Sequence, residues 1–133
     1  GTLSDAIIWA DVFVGVSVAN ALTADDVRKM NPDAIIFAMA NPTPEIMPDI
    51  AKAAGARIIG TGRSDFPNQI NNVLVFPWVF KGALRYRKQA ITEEMKLRAA
   101  HALADYIPNP TEDMIFPYPL DKGVAEVVAL AMQ

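Results

Sequence analysis

Three short stretches hold the residues whose chemistry is worth following: Gly15-Val-Ser-Val18, Asn41-Pro-Thr43 and Asn68-Gln-Ile-Asn-Asn72. Uncharged amides dominate them. An amide offers a donor and an acceptor together, so it can orient a carboxylate, a hydroxyl or a carboxamide without adding charge, yet it is a poor general acid or base. Each residue also has a plainer reading. Asn41 can open an Asn-Pro turn, and Asn71 or Asn72 can cap the helix that follows. Gly15 can let a backbone approach a flat ligand, as beneath a nucleotide ribose, or can simply bend the chain out of a strand. Ser17 has no histidine within sequence reach, and a serine hydroxyl without a base is a weak nucleophile, which disfavours hydrolase chemistry.

Other polar residues read more simply as structure. Arg63 and Asp65 could clamp a substrate, but a local ion pair that shapes their loop is the simpler account. Asp25 and Asp26 read as first-turn helix acids and not as metal ligands. His101 is the only histidine, so no pair of histidines is available for a metal, and it reads as structural or solvated. Trp78 and Phe80 read as core, and Lys81, Arg85, Arg87 and Lys88 as cations near a helix C-terminus. The chain has no cysteine, which excludes disulfides, Cys-ligated zinc, Fe–S clusters and thiol nucleophiles.

The elements that must position these residues alternate. The segment 2–10 has a helical face with Asp5 in the first turn, and 11–16 is a compact β-branched and aromatic run suited to a strand buried on both faces. Thr23 with Asp25 and Asp26 opens a helix to about Met30, and 34–40 repeats the buried-strand composition. Residues 45–54 predict a helix closed by Gly55, 57–60 a short strand, and 61–70 a loop. Beyond it the spacing predicts helices over 71–88, 92–107 with Thr92 as N-cap, and 121–132. Strand and helix in alternation predict parallel strands joined by right-handed crossovers, hence an α/β fold. The expected architecture is a partial doubly wound, Rossmann-like parallel sheet of about three strands with a C-terminal helical tail. Residues 1–107 would form the half-sheet with its helices and 108–133 the tail packing with it. No G-x-G-x-x-G phosphate turn occurs, and Gly60-Thr-Gly62 reads as an ordinary turn.

Composition sets the outer limits. At 133 residues, with 52% hydrophobic residues, the chain can build one domain's worth of core. Its 12 basic and 15 acidic residues give a net charge of −3 with no basic stripe, so nucleic acid is not an expected partner. No apolar run reaches about 18 residues and the N-terminus lacks a signal-peptide pattern, so no membrane association is expected and the cytoplasm is the expected compartment.

Three motifs in order carry a more specific resemblance: Phe37-Ala-Met-Ala-Asn-Pro-Thr-Pro-Glu-Ile46, Gly60-Thr-Gly-Arg-Ser-Asp-Phe-Pro-Asn-Gln69 and Asn71-Asn-Val-Leu-Val-Phe-Pro77. Together they resemble the C-terminal part of the NAD(P)-binding domain of bacterial-type malic enzymes, and the resemblance runs on through Glu93-Glu-Met-Lys96. It implies oxidative decarboxylation of malate to pyruvate and carbon dioxide with NAD or NADP and a divalent metal, Mg or Mn. It also implies roles: Asn41 between nicotinamide and malate, Asn71 and Asn72 on malate, and Gly15, Val16 and Ser17 along the cofactor. The family's lysine base, tyrosine acid and metal-binding acids would lie upstream of Gly1. The chain is therefore expected to be a fragment, inactive alone, with no catalytic residue or metal ligand of its own. Trp78 stands where the family commonly has glycine.

Two other readings remain at this point: the half-sheet of an amino-acid dehydrogenase, or a non-catalytic interaction module. Whichever reading holds, a truncated doubly wound sheet is expected to leave 11–16 as an unpaired strand edge, without lysine or proline to blunt pairing. Self-association, as a homo-oligomer or within a larger assembly, is the expected consequence.

Overall fold

The computed structural model describes residues 1–133. Their contacts divide into two compact units, Gly1–Ile70 and Asn71–Gln133.

The first unit is the half-sheet. Strands β1 (Val12–Gly15), β2 (Ile35–Ala38) and β3 (Ile58–Thr61) are parallel, in the order β1-β2-β3. Val12 stands opposite Ile35, and Ile35 opposite Ile58, so the three strands run in step and end together at Gly15, Ala38 and Thr61. Helices α1 (Leu3–Ala6), α2 (Ala24–Lys29) and α3 (Pro48–Ala53) complete the unit. The core gathers Ile7, Leu22, Val27, Ile36, Ala38, Ile46 and Ile59. The expected α/β half-sheet is therefore present.

Its strands are less enclosed than their composition suggests. Ile36 and Ala38 are fully buried, but their neighbours Ile35 and Phe37 are only half-buried. On β1 the difference is larger: Val12 is 48% and Val14 60% exposed, where burial on both faces was expected. The cause is a shared face. Val12 and Val14 stand opposite Ile35 and Phe37, so all four side chains project to one face of the sheet, which this unit leaves partly open, while Ile36 and Ala38 lie on the covered face. As the first strand of the order, β1 also pairs on one side only.

The helices start where local chemistry lets them. Thr23 caps α2 by accepting the Asp26 N–H at 3.2 Å, while the Asp26 carboxylate takes the Thr23 N–H at 3.1 Å, a reciprocal capping box. Asp26 is buried and also accepts the hydroxyls of Thr23 and Ser4, with Lys29 at 3.5 Å, so it ties α1 to α2. Helix α3 starts at Pro48, three residues later than the spacing predicts, because the proline disfavours helical backbone at Met47, which is extended as the N-cap. Gly55 follows it at φ 110°, the left-handed position that favours glycine after a helix.

The second unit is helical. A single 3-10 turn, Asn72–Leu74, precedes α4 (Trp78–Arg85), α5 (Glu93–Asp105) and α6 (Lys122–Leu130). The helix expected over 71–88 is thus broken, because Pro77 disfavours helical backbone at the residue before it and α4 can begin only beyond. Left-handed Arg87, at φ 51°, ends the segment before Lys88. Helix α6 packs on both α4 and α5 around Val79, Met95, Ala99, Val124, Val128 and Met132, so the tail is part of this unit's core. Trp78 packs at the margin of that core, whereas Phe80, read from sequence as core, is 47% exposed and stacks edge-on against Phe76. Arg85, expected to serve the helix dipole, grips Glu126 of α6 through two bonds of 2.6 and 3.1 Å, with Lys81 at 3.7 Å from the same carboxylate. Gly82 makes the crossing possible, since a Cβ there would lie 2.3 Å from the Ala129 carbonyl oxygen.

Two outcomes follow. Hydrogen bonds from Ser4 and Thr23 hold the Asp26 carboxyl down to about 2 from 3.8. That stabilisation is complete above the ordinary pKa and is lost as pH falls towards the lowered one. Asp26→Asn is expected to cost on the order of 2 kcal/mol at neutral pH and to flatten the decline of stability between about pH 4 and 2; urea unfolding at stepped pH measures both. Gly82→Ala is expected to cost about 1–3 kcal/mol by forcing α4 from α6, and an unchanged melting temperature would refute that close approach.

Candidate functional site

In open parallel sheets ligands bind beyond the carboxyl ends of the strands. Here β1 runs into Val16 and Ser17, β2 into Met39, Ala40 and Asn41, and β3 into Gly62 and Arg63.

The turn after β1 and the turn after β2 are fastened by one side chain. Glu45 is completely buried. Its Oε1 accepts the Ser17 N–H at 2.7 Å and the Ser17 hydroxyl at 3.0 Å, and its Oε2 accepts the Ala40 N–H at 3.1 Å. Backbone bonds reinforce the junction: Asn20 N–H to the Pro44 carbonyl at 3.1 Å and Leu22 N–H to the Glu45 carbonyl at 3.0 Å. Burial pushes the Glu45 carboxyl up, but the bonds from Ser17, Ala40 and its own N–H together outweigh it and hold the pKa below the usual value. A carboxylate stabilised in this way is a poor proton acceptor. The Ser17 hydroxyl therefore donates to a structural anion and gains no general base.

Gly15 owes its identity to the same group. A Cβ there would lie 2.6 Å from Glu45 Cδ and 2.7 Å from the Phe13 ring, so the space beside Gly15 is taken by the protein's own carboxylate and the Phe13 ring. Val16 is 79% exposed at the turn. Asn41 is exposed and joined to Pro42 by a cis peptide bond. Its amide lies over the end of β3, where a Cβ on Gly62 would meet Oδ1 and Nδ2 at 3.3 Å each.

The loop after β3 is largely self-contained. Arg63 and Asp65 pair through two bonds of 2.9 and 2.7 Å, the local ion pair expected, and the guanidinium lies over Phe66. Asn68 is buried and donates to the Ile59 carbonyl at 3.1 Å, so this amide serves β3. The Ile70 N–H returns to the Thr61 carbonyl at 2.8 Å.

Asn71 and Asn72 open the second unit. The Asn71 Oδ1 accepts the Val73 N–H at 3.0 Å, capping the 3-10 turn, and Asn72 is exposed in its first position. The cap employs the Asn71 oxygen and leaves its NH2 as a donor. His101 is exposed on α5. No three His, Cys, Asp or Glu residues gather as a metal would need, so the chain's donor set does not make a divalent-metal site. No helix is long and apolar enough to cross a membrane. Sequence reasoning missed Glu45 altogether, reading it as the start of a helix. The one available signal was the acid directly after a Pro-Thr-Pro turn, where α3 still lacked a polar N-cap.

Known proteins match this arrangement over nearly its whole length. Residues 2–132 match the family described as the malic enzyme, NAD binding domain. The bifunctional malic/malolactic enzyme of Bacillus subtilis (strain 168) is 56% identical over 99% of this chain, which covers 33% of that protein. The NAD-dependent malic enzyme of Geobacillus stearothermophilus is 51% identical over 99% of the chain and 28% of its own length. Among solved structures, the malic enzyme from Pyrococcus horikoshii Ot3 superposes with a TM-score of 0.95 at 46% identity, over 99% of this chain and 31% of that one. The chain thus spans roughly a third of the length of these relatives. A family match from end to end, on a sheet of the same construction, identifies the chain as a member of the malic enzyme NAD-binding domain family.

Proposed function

We propose that this chain is the part of an NAD(P)-dependent malic enzyme that orients malate and the nicotinamide cofactor for oxidative decarboxylation to pyruvate and carbon dioxide. The observation that carries this reading is the position of Asn41 just beyond the carboxyl end of β2, the central strand, in a chain of this family. A bound nicotinamide would supply the hydride acceptor for the oxidation. The protein's own share is orientation. The Gly15, Val16 and Ser17 turn offers backbone groups along the dinucleotide, with Ser17 already fixed by its N–H. The Asn41 amide, uncharged and exposed, suits the carboxamide of nicotinamide on one side and a substrate oxygen on the other. The Asn71 NH2 and the Asn72 amide are donors for malate's carboxylate and hydroxyl. The Mg or Mn that the resemblance implies would need ligands other than these residues.

The test is malate-dependent reduction of NAD and of NADP by the full-length protein with Mg or Mn present. Amino acids as alternative substrates check the rival dehydrogenase, and an interaction module would reduce neither cofactor. Asn41→Ala is expected to lower kcat/KM for malate roughly ten- to a hundred-fold, the cost of one hydrogen bond to a charged group. Asn71→Asp separates two roles of one residue. A carboxylate caps as well as an amide oxygen, so the melting temperature should hold, while loss of the NH2 donor and the added charge should depress malate kinetics by a similar factor. Wild-type kinetics in Asn71→Asp would leave capping as the sole function.

We propose also that the open β1 edge, with Val12 and Val14 exposed beside it, supports association with a second copy or a larger assembly. Sedimentation of the 133-residue chain at micromolar concentration should show self-association, and a soluble monomer would count against it.

A further inference from the structure

The buried group that joins most segments is one that the proposed reaction does not use. Glu45 receives three hydrogen bonds from two turns, and its partner Ser17 is 28 residues away in sequence. Each oxygen serves one turn. Oε1 holds the backbone N–H of Ser17, within the turn proposed for the cofactor, and Oε2 holds the N–H of Ala40, the residue directly before Asn41. A carboxylate is planar and rigid, so fixing both oxygens fixes the two turns relative to each other. The neighbouring chain leaves it no slack: Phe13 and Gly15 close around it, and the Asn20 and Leu22 N–H groups anchor the backbone of Pro44 and Glu45.

Resting on the reading of these turns as the cofactor and substrate site, we infer that Glu45 is a positioning residue that sets the Gly15–Ser17 turn and Asn41 in register, so that cofactor affinity and turnover depend on it together. It touches neither ligand. Its effect passes through Ser17 and Ala40. The chemistry of the carboxylate is what the geometry needs, since all its contacts are donors and only an acceptor at both positions can satisfy them. Glutamine places an NH2 against one of two N–H donors and must release that turn. Aspartate keeps the charge but is one methylene shorter, and cannot reach both turns.

The experiment uses the full-length protein as wild type, Glu45→Gln and Glu45→Asp. Calorimetric titration gives the Kd for NAD and NADP, steady-state assays give kcat and KM with malate, and circular dichroism gives the folded fraction and melting temperature. Both variants are expected to raise the cofactor Kd about tenfold and to lower kcat at least as much, measured where they are fully folded. A merely structural role would lower the melting temperature and leave Kd and kcat of the folded protein at wild-type values; that result overturns the inference. A measurement on the wild type alone guards against variants that fail to fold. Amide hydrogen exchange should show Ser17 and Ala40 equally protected, because one lock closes on both, and unequal protection also overturns it. A wild type that binds neither cofactor and leaves malate unchanged would refute the functional reading itself. An active wild type matched by its variants would refute only the role of Glu45.

Discussion

A fully buried carboxylate holds the ends of β1 and β2 together, and the local structure on both sides is arranged to accommodate it. Burying an ion costs several kcal/mol unless its oxygens are satisfied. Glu45 meets that condition with donors from two turns, one of them far away in sequence. The consequences spread outward. Gly15 must lack a side chain, and Ser17 and Ala40 must present their N–H groups inward. Three otherwise unrelated residues are thus explained by one electrostatic requirement.

The second unit rests on a different economy. Its core is apolar throughout, and the approach of α4 to α6 is set by the absence of a Cβ at Gly82. Polar contacts are confined to its surface and ends, where Arg85 and Lys81 meet Glu126, and Arg98 donates to the Ala131 carbonyl at the end of α6. The first unit carries buried charge at Asp26 and Glu45, and the second carries none among its buried residues. This division suits a chain in which the strand ends must hold fixed turns while the helices supply bulk.

What was legible in the sequence was whatever depends on neighbours along the chain. Thr23 and Thr92 announce helices because a cap acts within three residues, and the apolar runs around Phe13 and Ile36 announce strands by composition. Exposure of Val12 and Val14 was not legible from composition, which reports strand type but not whether both faces of the sheet are covered. The break at Pro77 could have been foreseen from proline's effect on the preceding residue. Of the candidate site, the amides were legible as residue types, and the Asn71 cap was foreseen as an alternative. Glu45 was not, since nothing near it in sequence reveals a partner on another strand end.

The fit between Gly15 and Glu45 also constrains how this sequence can drift over generations. A side chain at position 15 has no room while the carboxyl group stands 2.6 Å from where its first carbon would go. Shortening Glu45 first would relieve only part of that crowding, since the Phe13 ring stays 2.7 Å from the same point, and would strand the N–H groups of Ser17 and Ala40. Neither single step is neutral, so the two positions form a linked pair that is inherited together or replaced together. Among divergent members of the family, a non-glycine residue at the position of Gly15 should therefore coincide with loss of the glutamate, and the two turns should then be joined by some other means.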